Sequence, residues 1–150
     1  MSGGIGRECR EFAPMQPVFS MRIRVYYEDT DTAGVVYYAN YLKFMERART
    51  EWLRAAGFEL DALAQRDGVM FVVRSATLEF LKPARFNDAI DVDATITRHR
   101  GASITFVQRV RRADTILCEG DIRIACVDSA THAPRALPAA LVARLKEISL

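Results

Sequence analysis

One long helical pattern, set between a single strand-like run and four more, limits the folds open to this chain more than any other feature. From about residue 39 to 56 the apolar side chains Leu42, Phe44, Met45, Ala48, Trp52 and Leu53 recur at helical spacing, and Gly57 supplies a stop. Before it, FSMRIRVYY alternates, with Met21, Ile23 and Val25 on one side and Arg22 and Arg24 on the other, as a half-buried strand does. After it, ELDALAQRDG reads as a shorter helical turn ending near Gly68. VMFVVRSATLEFLKPARF, AIDVDATITRH, SITFVQRVRR and TILCEGDIRIACVD then read as strands, Pro83 ending the first of them. The breaks at RHRG and RRAD have hairpin length and leave no room for crossover helices, so these strands are expected to be antiparallel neighbours. PAALVARLKEI adds a terminal helix. An α+β domain follows: a five-stranded antiparallel sheet wraps around one long central helix, so that each buries the other's apolar face. Such a sheet leaves edge strands open, and pairing through an edge into a homodimer or homotetramer is expected.

The chain has 150 residues, half of them hydrophobic, which suits one compact domain over 19–150 after a loose N-terminal arm over 1–18. A net charge of +2 is too small to mark a nucleic-acid protein, so any anion site must be local. No stretch is long and apolar enough for a membrane span, and the first residues lack an apolar signal segment. Cys9, Cys118 and Cys126 lack CxxC spacing, which argues against a disulfide framework or a zinc site. These features together predict a cytoplasmic protein.

YYEDTDTAGVVYYANYLKF, residues 26 to 44, sets acids and tyrosines where a core would want neither. Asp29-Thr30-Asp31-Thr32-Ala33-Gly34 starts like a calcium loop, but Ala33 occupies a ligand position and Asn40 stands where a glutamate should be. Asp-x-Asp also presents nucleophile and acid in magnesium phosphatases, yet that chemistry rides on a parallel sheet, which this order of elements does not build. A third chemistry needs no metal. One carboxylate attacks an acyl carbon, or activates water against it, while N–H groups of a helix start hold the oxyanion. Gly34 then permits close backbone approach, and the first turn of the long helix offers N–H donors. The bland alternative is that Asp29, Asp31 and Thr32 make turn and cap hydrogen bonds, and that Tyr37, Tyr38 and Tyr41 belong to a core edge or a dimer surface.

Tyr27-Glu28-Asp29-Thr30-Asp31, followed by Gly34-Val35-Val36-Tyr37-Tyr38 and Asn40-Tyr41, resembles the signature of hotdog-fold acyl-CoA thioesterases. RVYYEDTDTAGVVYYANYLKFMERARTEWLR, FVVR, KPAR, RGAS and APRALP extend the likeness from about residue 22 to 140, with the Tol-Pal-associated branch nearest. The resemblance implies a hotdog fold. It implies Asp31 as the catalytic carboxylate, either nucleophile or general base, the Tyr38 backbone N–H as oxyanion donor, and Tyr27, Gly34 and Val35 beside them. Tol-Pal-associated members often carry histidine where this chain has Tyr38, and 4-hydroxybenzoyl-CoA thioesterases carry tyrosine there, so no imidazole role is implied.

His99 and His132 lie outside the motif, which leaves a Ser/His/Asp or Cys/His mechanism without support. An acyl-CoA substrate needs cations for its phosphates and an apolar tunnel for its acyl chain. Arg98, Arg100 and Ser103 are the candidate donors, Arg74 and Lys82 weaker ones, and Phe71, Leu78 and Phe80 candidate tunnel residues. No cofactor or metal is expected. The resemblance implies a short- or medium-chain acyl group, with aliphatic and aromatic groups both open. An alternative expectation is an interaction protein for acyl carrier protein or a lipid-synthesis complex, with slow hydrolysis.

Overall fold

The computed structural model describes residues 17–148. The expected arm over 1–18 therefore lies almost wholly outside the described residues; at its end the Val18 N–H already donates to Ala94 O at 2.8 Å. The strands are β1 (Phe19–Arg24), β2 (Val69–Phe80), β3 (Ala89–Arg100), β4 (Ser103–Arg112) and β5 (Thr115–Asp128). The helices are α1 (Tyr38–Ala55), the single turn α2 (Leu60–Ala62), which runs into a π-turn at Leu63–Asp67, and α3 (Ala139–Ile148). One antiparallel sheet runs β1-β3-β4-β5-β2, placing the first two strands at its two edges. The α+β architecture read from the sequence is thus the observed one.

α1 packs its Tyr41, Phe44, Met45, Ala48, Trp52 and Leu53 face into the concave side of the sheet, against Ile90, Val92, Ile104, Phe106 and Ile122. Alternation in each strand sends these apolar residues inward and charged ones outward. On the outer side Arg22 donates to Asp91 at 3.1 and 3.2 Å, and Arg111 to Asp93 at 2.8 and 3.2 Å. Gly120 lies where the helix approaches the sheet: a Cβ built there would stand 3.1 Å from Met45 Sδ and 3.4 Å from Leu78 Cγ. Beside it a fully buried polar link ties helix to sheet. Arg49 Nη1 donates to Gln108 Oε1 at 2.8 Å, and Gln108 Nε2 donates to Met45 O at 3.0 Å.

Gly57, with φ of 96°, and Gly68, with φ of 65°, stop the helical segments where expected. His99, read from the sequence as a turn residue, sits instead within β3 opposite Ile104, because that strand runs on through Arg100 before the hairpin reverses. Cys118 and Cys126 are buried free thiols. Among the described residues no helix is long and apolar enough to cross a membrane, and no cluster of His, Cys, Asp or Glu could hold a metal ion.

Candidate active site

The acid loop leaves β1 through a 3₁₀ turn at Tyr27–Asp29 and returns to α1 through short bridges, Thr30 with Val36 and Val35 with Arg85. Its two aspartates are treated differently. Asp29 is buried, its Oδ2 accepts from the Tyr26 N–H at 2.9 Å, and its carbonyl accepts from the Tyr37 N–H at 3.0 Å and Asn40 Nδ2 at 2.8 Å. Asp29 therefore fastens the loop to the helix start. Asp31 is exposed; only its Oδ1 is engaged, by the Ala33 N–H at 2.8 Å, in an Asx turn. Its Oδ2 has no donor among the described residues.

Between Asp31 and α1 the chain makes a tight turn, with the Gly34 N–H donating to Asp31 O at 3.0 Å. Gly34 takes φ of 75°, and a Cβ there would meet nothing within 4 Å. The left-handed backbone here favours glycine. The Tyr37 and Asn40 N–H groups are satisfied by Asp29 O and Tyr37 O, whereas those of Tyr38 and Ala39 have no acceptor among the described residues. These orphan donors stand at the positive end of an 18-residue helix, where negative charge is favoured.

Asp31, Val35, Val36, Tyr38, Tyr41, Phe80, Leu81, Lys82 and Pro83 line one open groove of about 350 Å³. Its walls are aromatic: Phe80 stands 6.2 Å from Tyr38, edge on, and 5.6 Å from Tyr41, centroid to centroid. The candidates Asp31, Val35 and Tyr38 are thus brought together. Tyr27 and Gly34 are not among the lining residues; Tyr27 is 76% exposed and stacks on Phe86 at 3.8 Å. Sequence reading assigned no site role to Tyr41, though its spacing of three from Tyr38 puts both on one helix face. Burial pushes the Tyr41 phenol up from its ordinary value, the hydrogen bond from the Ala84 N–H opposing that.

A second hollow, about 490 Å³, gathers the candidates Arg98, Arg100 and Ser103 with Arg74, Arg123 and Thr105. Register explains the cluster, since Arg98 pairs with Thr105, Thr105 with Arg123 and Arg123 with Ser75 in one cross-strand row. Arg123 alternates with buried Ile122 and Ile124 and so points away from α1, placing this hollow on the outer face of the sheet. None of the four arginines has an acidic partner among the described residues. Like charges gathered without carboxylates make a place for an anion.

An exposed carboxylate with an unengaged oxygen, orphan N–H donors at a helix start and an aromatic-walled groove occur together on an antiparallel sheet wrapped around one long helix. Residues 25–145 match the thioesterase-like superfamily, and the chain belongs to that family. The enzyme class and hotdog fold expected from the motif stand with it. The chain is 47% identical over 131 residues to acyl-CoA thioester hydrolase YbgC of Escherichia coli O157:H7, covering 87% of this chain and 97% of that one. It is 41% identical over 120 residues to acyl-CoA thioesterase YbgC of Haemophilus influenzae, covering 80% and 88%. Among solved structures, a probable thioesterase from Bartonella henselae superposes with a TM-score of 0.77 at 36% identity, covering 80% of this chain and 99% of that one.

Proposed function

We propose that this chain hydrolyses short- or medium-chain acyl-CoA thioesters, aliphatic or aromatic, to free acid and coenzyme A. The observation that supports the reading is that Asp31, whose Oδ2 has no donor among the described residues, and Tyr38, whose N–H has no acceptor among them, both line one groove. A thioester carbonyl oxygen facing the Tyr38 N–H turns its carbon toward Asp31. As general base, Asp31 takes a proton from water while the oxygen adds to the acyl carbon. The oxyanion rests on the helix-start N–H, and collapse breaks the C–S bond, the departing thiolate taking the proton. As nucleophile, Asp31 forms a mixed anhydride and expels the thiolate, and water then cleaves the anhydride. Both routes give one acid and one thiol.

The arginine hollow takes the phosphates of coenzyme A in this reading, with Ser103 beside Arg98 and Arg100. Cys118, opposite Phe80, and Arg123 lie five residues apart on β5 and so roughly 17 Å apart. The hollow lies on the face opposite the groove, so the cofactor-like tail rounds a sheet edge. Of the two edges, β2 is the longer, with Val73 53% exposed, and its pairing with a second copy makes the homodimer, the unit from which a tetramer would be built. The compartment proposed is the cytoplasm, in keeping with two free thiols.

The test is thiol release across acyl-CoAs of graded length, benzoyl- and hydroxybenzoyl-CoA, and the matching acyl carrier protein thioesters, for wild type and Asp31→Asn. An enzyme-only blank corrects for native cysteines. Wild-type turnover with a loss on the order of a hundredfold or more in the variant is expected. Equal rates in the two proteins would remove Asp31 from the chemistry, and light scattering at a single-chain mass would remove the dimer.

A further inference from the structure

Among the residues lining the groove one is anionic, Asp31, and one is cationic, Lys82. No ion pair joins them, and Lys82 has no acidic partner elsewhere among the described residues. Lysine near the edge of a sheet often serves only to keep other strands away. Lys82 stands two residues beyond Phe80, the last residue of β2 and the partner of Cys118, and so lies outside the paired length of that strand. Its backbone is anchored by its neighbours. The Leu81 and Lys82 N–H groups both donate to Leu117 O on β5, at 2.8 and 3.1 Å. The Ala84 N–H donates to Tyr41 Oη on α1 at 3.1 Å, and Ala84 O accepts from the Val36 N–H of the acid loop at 2.8 Å. Between these anchors Pro83 fixes one more backbone angle. The segment carrying Lys82 is thus tied to the sheet, to the helix that bears the orphan Tyr38 N–H and to the loop that bears Asp31. The root of the side chain is set, while its four-carbon stem leaves the ammonium free to move.

We propose that Lys82 is a catalytic residue whose ammonium pairs with the sulfur of the leaving thiolate. This assignment rests on the acyl-CoA reading above. In that reading Asp31 serves the attacking group and the Tyr38 N–H serves the carbonyl oxygen, which leaves the third charge of the reaction unattended. When the C–S bond breaks, its electron pair stays on sulfur. An alkane thiol is as weak an acid as free cysteine, with a pKa of about 8.5, so its anion is a poor leaving group unless something stabilises it. Val35, Val36, Phe80, Leu81 and Pro83 offer that charge no partner, and an unpaired charge between apolar walls is costly. The ammonium is the partner at hand, and its pull strengthens once an acyl chain has displaced water from the groove. Lysine suits the task, since a compact charge on a flexible stem follows a departing atom without the fixed planar geometry of arginine. It keeps its own three protons. The proton lost by water ends on sulfur, so one acid and one thiol leave and both side chains return to their starting states.

The experiment compares wild type, Lys82→Gln and Lys82→Arg on three thioesters of one acyl group. The first is the coenzyme A thioester. The second, with N-acetylcysteamine, keeps an alkane thiol and has no phosphate. The third, with 4-nitrothiophenol, releases a thiolate that needs no help to leave. Lys82→Gln is expected to lose roughly tenfold or more in kcat/KM on the first two alike and about threefold or less on the third, and Lys82→Arg to recover most of the loss. The aryl thioester is also the internal control for folding, since a misfolded variant loses all three activities together. A loss confined to the coenzyme A thioester would make Lys82 a phosphate contact and overturn the assignment. So would an equal loss on all three, or none on any. Each of these results leaves the thioesterase reading intact, because wild type still turns over. Wild type inert toward every thioester would take both away.

Discussion

Replacing Gln108 by leucine tests how α1, and with it the orphan N–H groups at its start, is held on the sheet. Gln108 is fully buried and joins two partners, accepting from Arg49 Nη1 at 2.8 Å and donating to Met45 O at 3.0 Å. Arg49 is itself 6% exposed, and burial pulls its guanidinium below the ordinary value, with Glu46 opposing. Leucine has similar bulk, so little cavity forms; the loss is electrostatic. A hydrogen bond to a charged group contributes about 1.5–3 kcal/mol, and leaving the buried cation without its acceptor adds to that. Met45 O keeps its bond within the helix, so its share is small. The expected cost is about 2–4 kcal/mol, or roughly 5–15 °C in Tm for a chain of this length. Urea titration and thermal melting at fixed protein concentration measure it. Combining Gln108→Leu with Arg49→Met should cost less than the sum of the two single changes by about 1–3 kcal/mol, since no buried charge is left behind. A single variant within about 0.5 kcal/mol of wild type, or an additive double variant, would refute the link.

Two further outcomes follow from the same structure. On the proposal that the hollow holds the phosphates, Arg98→Ala and Arg100→Ala should each raise KM for acyl-CoA with little change in kcat and flatten its dependence on salt, since neither residue lines the groove; unchanged KM in steady-state assays would exclude the hollow as the phosphate site. Burial, and secondarily Glu119, pushes the Cys118 thiol up to about 12 from an ordinary 9.0. The unfolded thiol therefore ionises first. The native state holds its full stability below about pH 9 and loses this contribution as pH rises toward 12. Cys118→Ala should flatten that alkaline decline in melts from pH 8 to 11, and rapid modification of native Cys118 by a thiol reagent at pH 8 would contradict its burial.

Element type and order were legible because the periodicities were strong. The period-2 runs of β3, β4 and β5 and the helical spacing from Leu42 to Leu53 reproduce the observed elements to within a residue or two. Strand order was less so: that β1 pairs β3 while β2 pairs β5 depends on wrapping the sheet around α1, a tertiary matter that hairpin spacing does not encode. The arginine hollow shows the same limit. Arg98, Arg100 and Ser103 sit together in sequence, but Arg74 and Arg123 join them through register and through bulges at Thr97 and Arg74. Tyr41 carried no site role in the sequence because its place in the groove comes from the packing of α1 against Phe80, which periodicity does not encode.

The two aspartates of the loop show how one short segment can hold an exposed carboxylate beside a helix start. Asp31 can stay exposed with an unengaged oxygen only because its surroundings are fixed by other bonds, and most of these converge on Asp29. The Asp29 carbonyl binds both the Tyr37 N–H and the Asn40 side chain, one at the entry to α1 and one in its first turn. That use of two donors satisfies the helix start at Tyr37 and leaves the Tyr38 N–H without an acceptor among the described residues. On the proposed reading, Asp29 and Asn40 set the separation between the Asp31 carboxylate and the helix-start N–H, and a loop that spent Asp31 on those capping bonds would lose the free oxygen that the proposed chemistry needs.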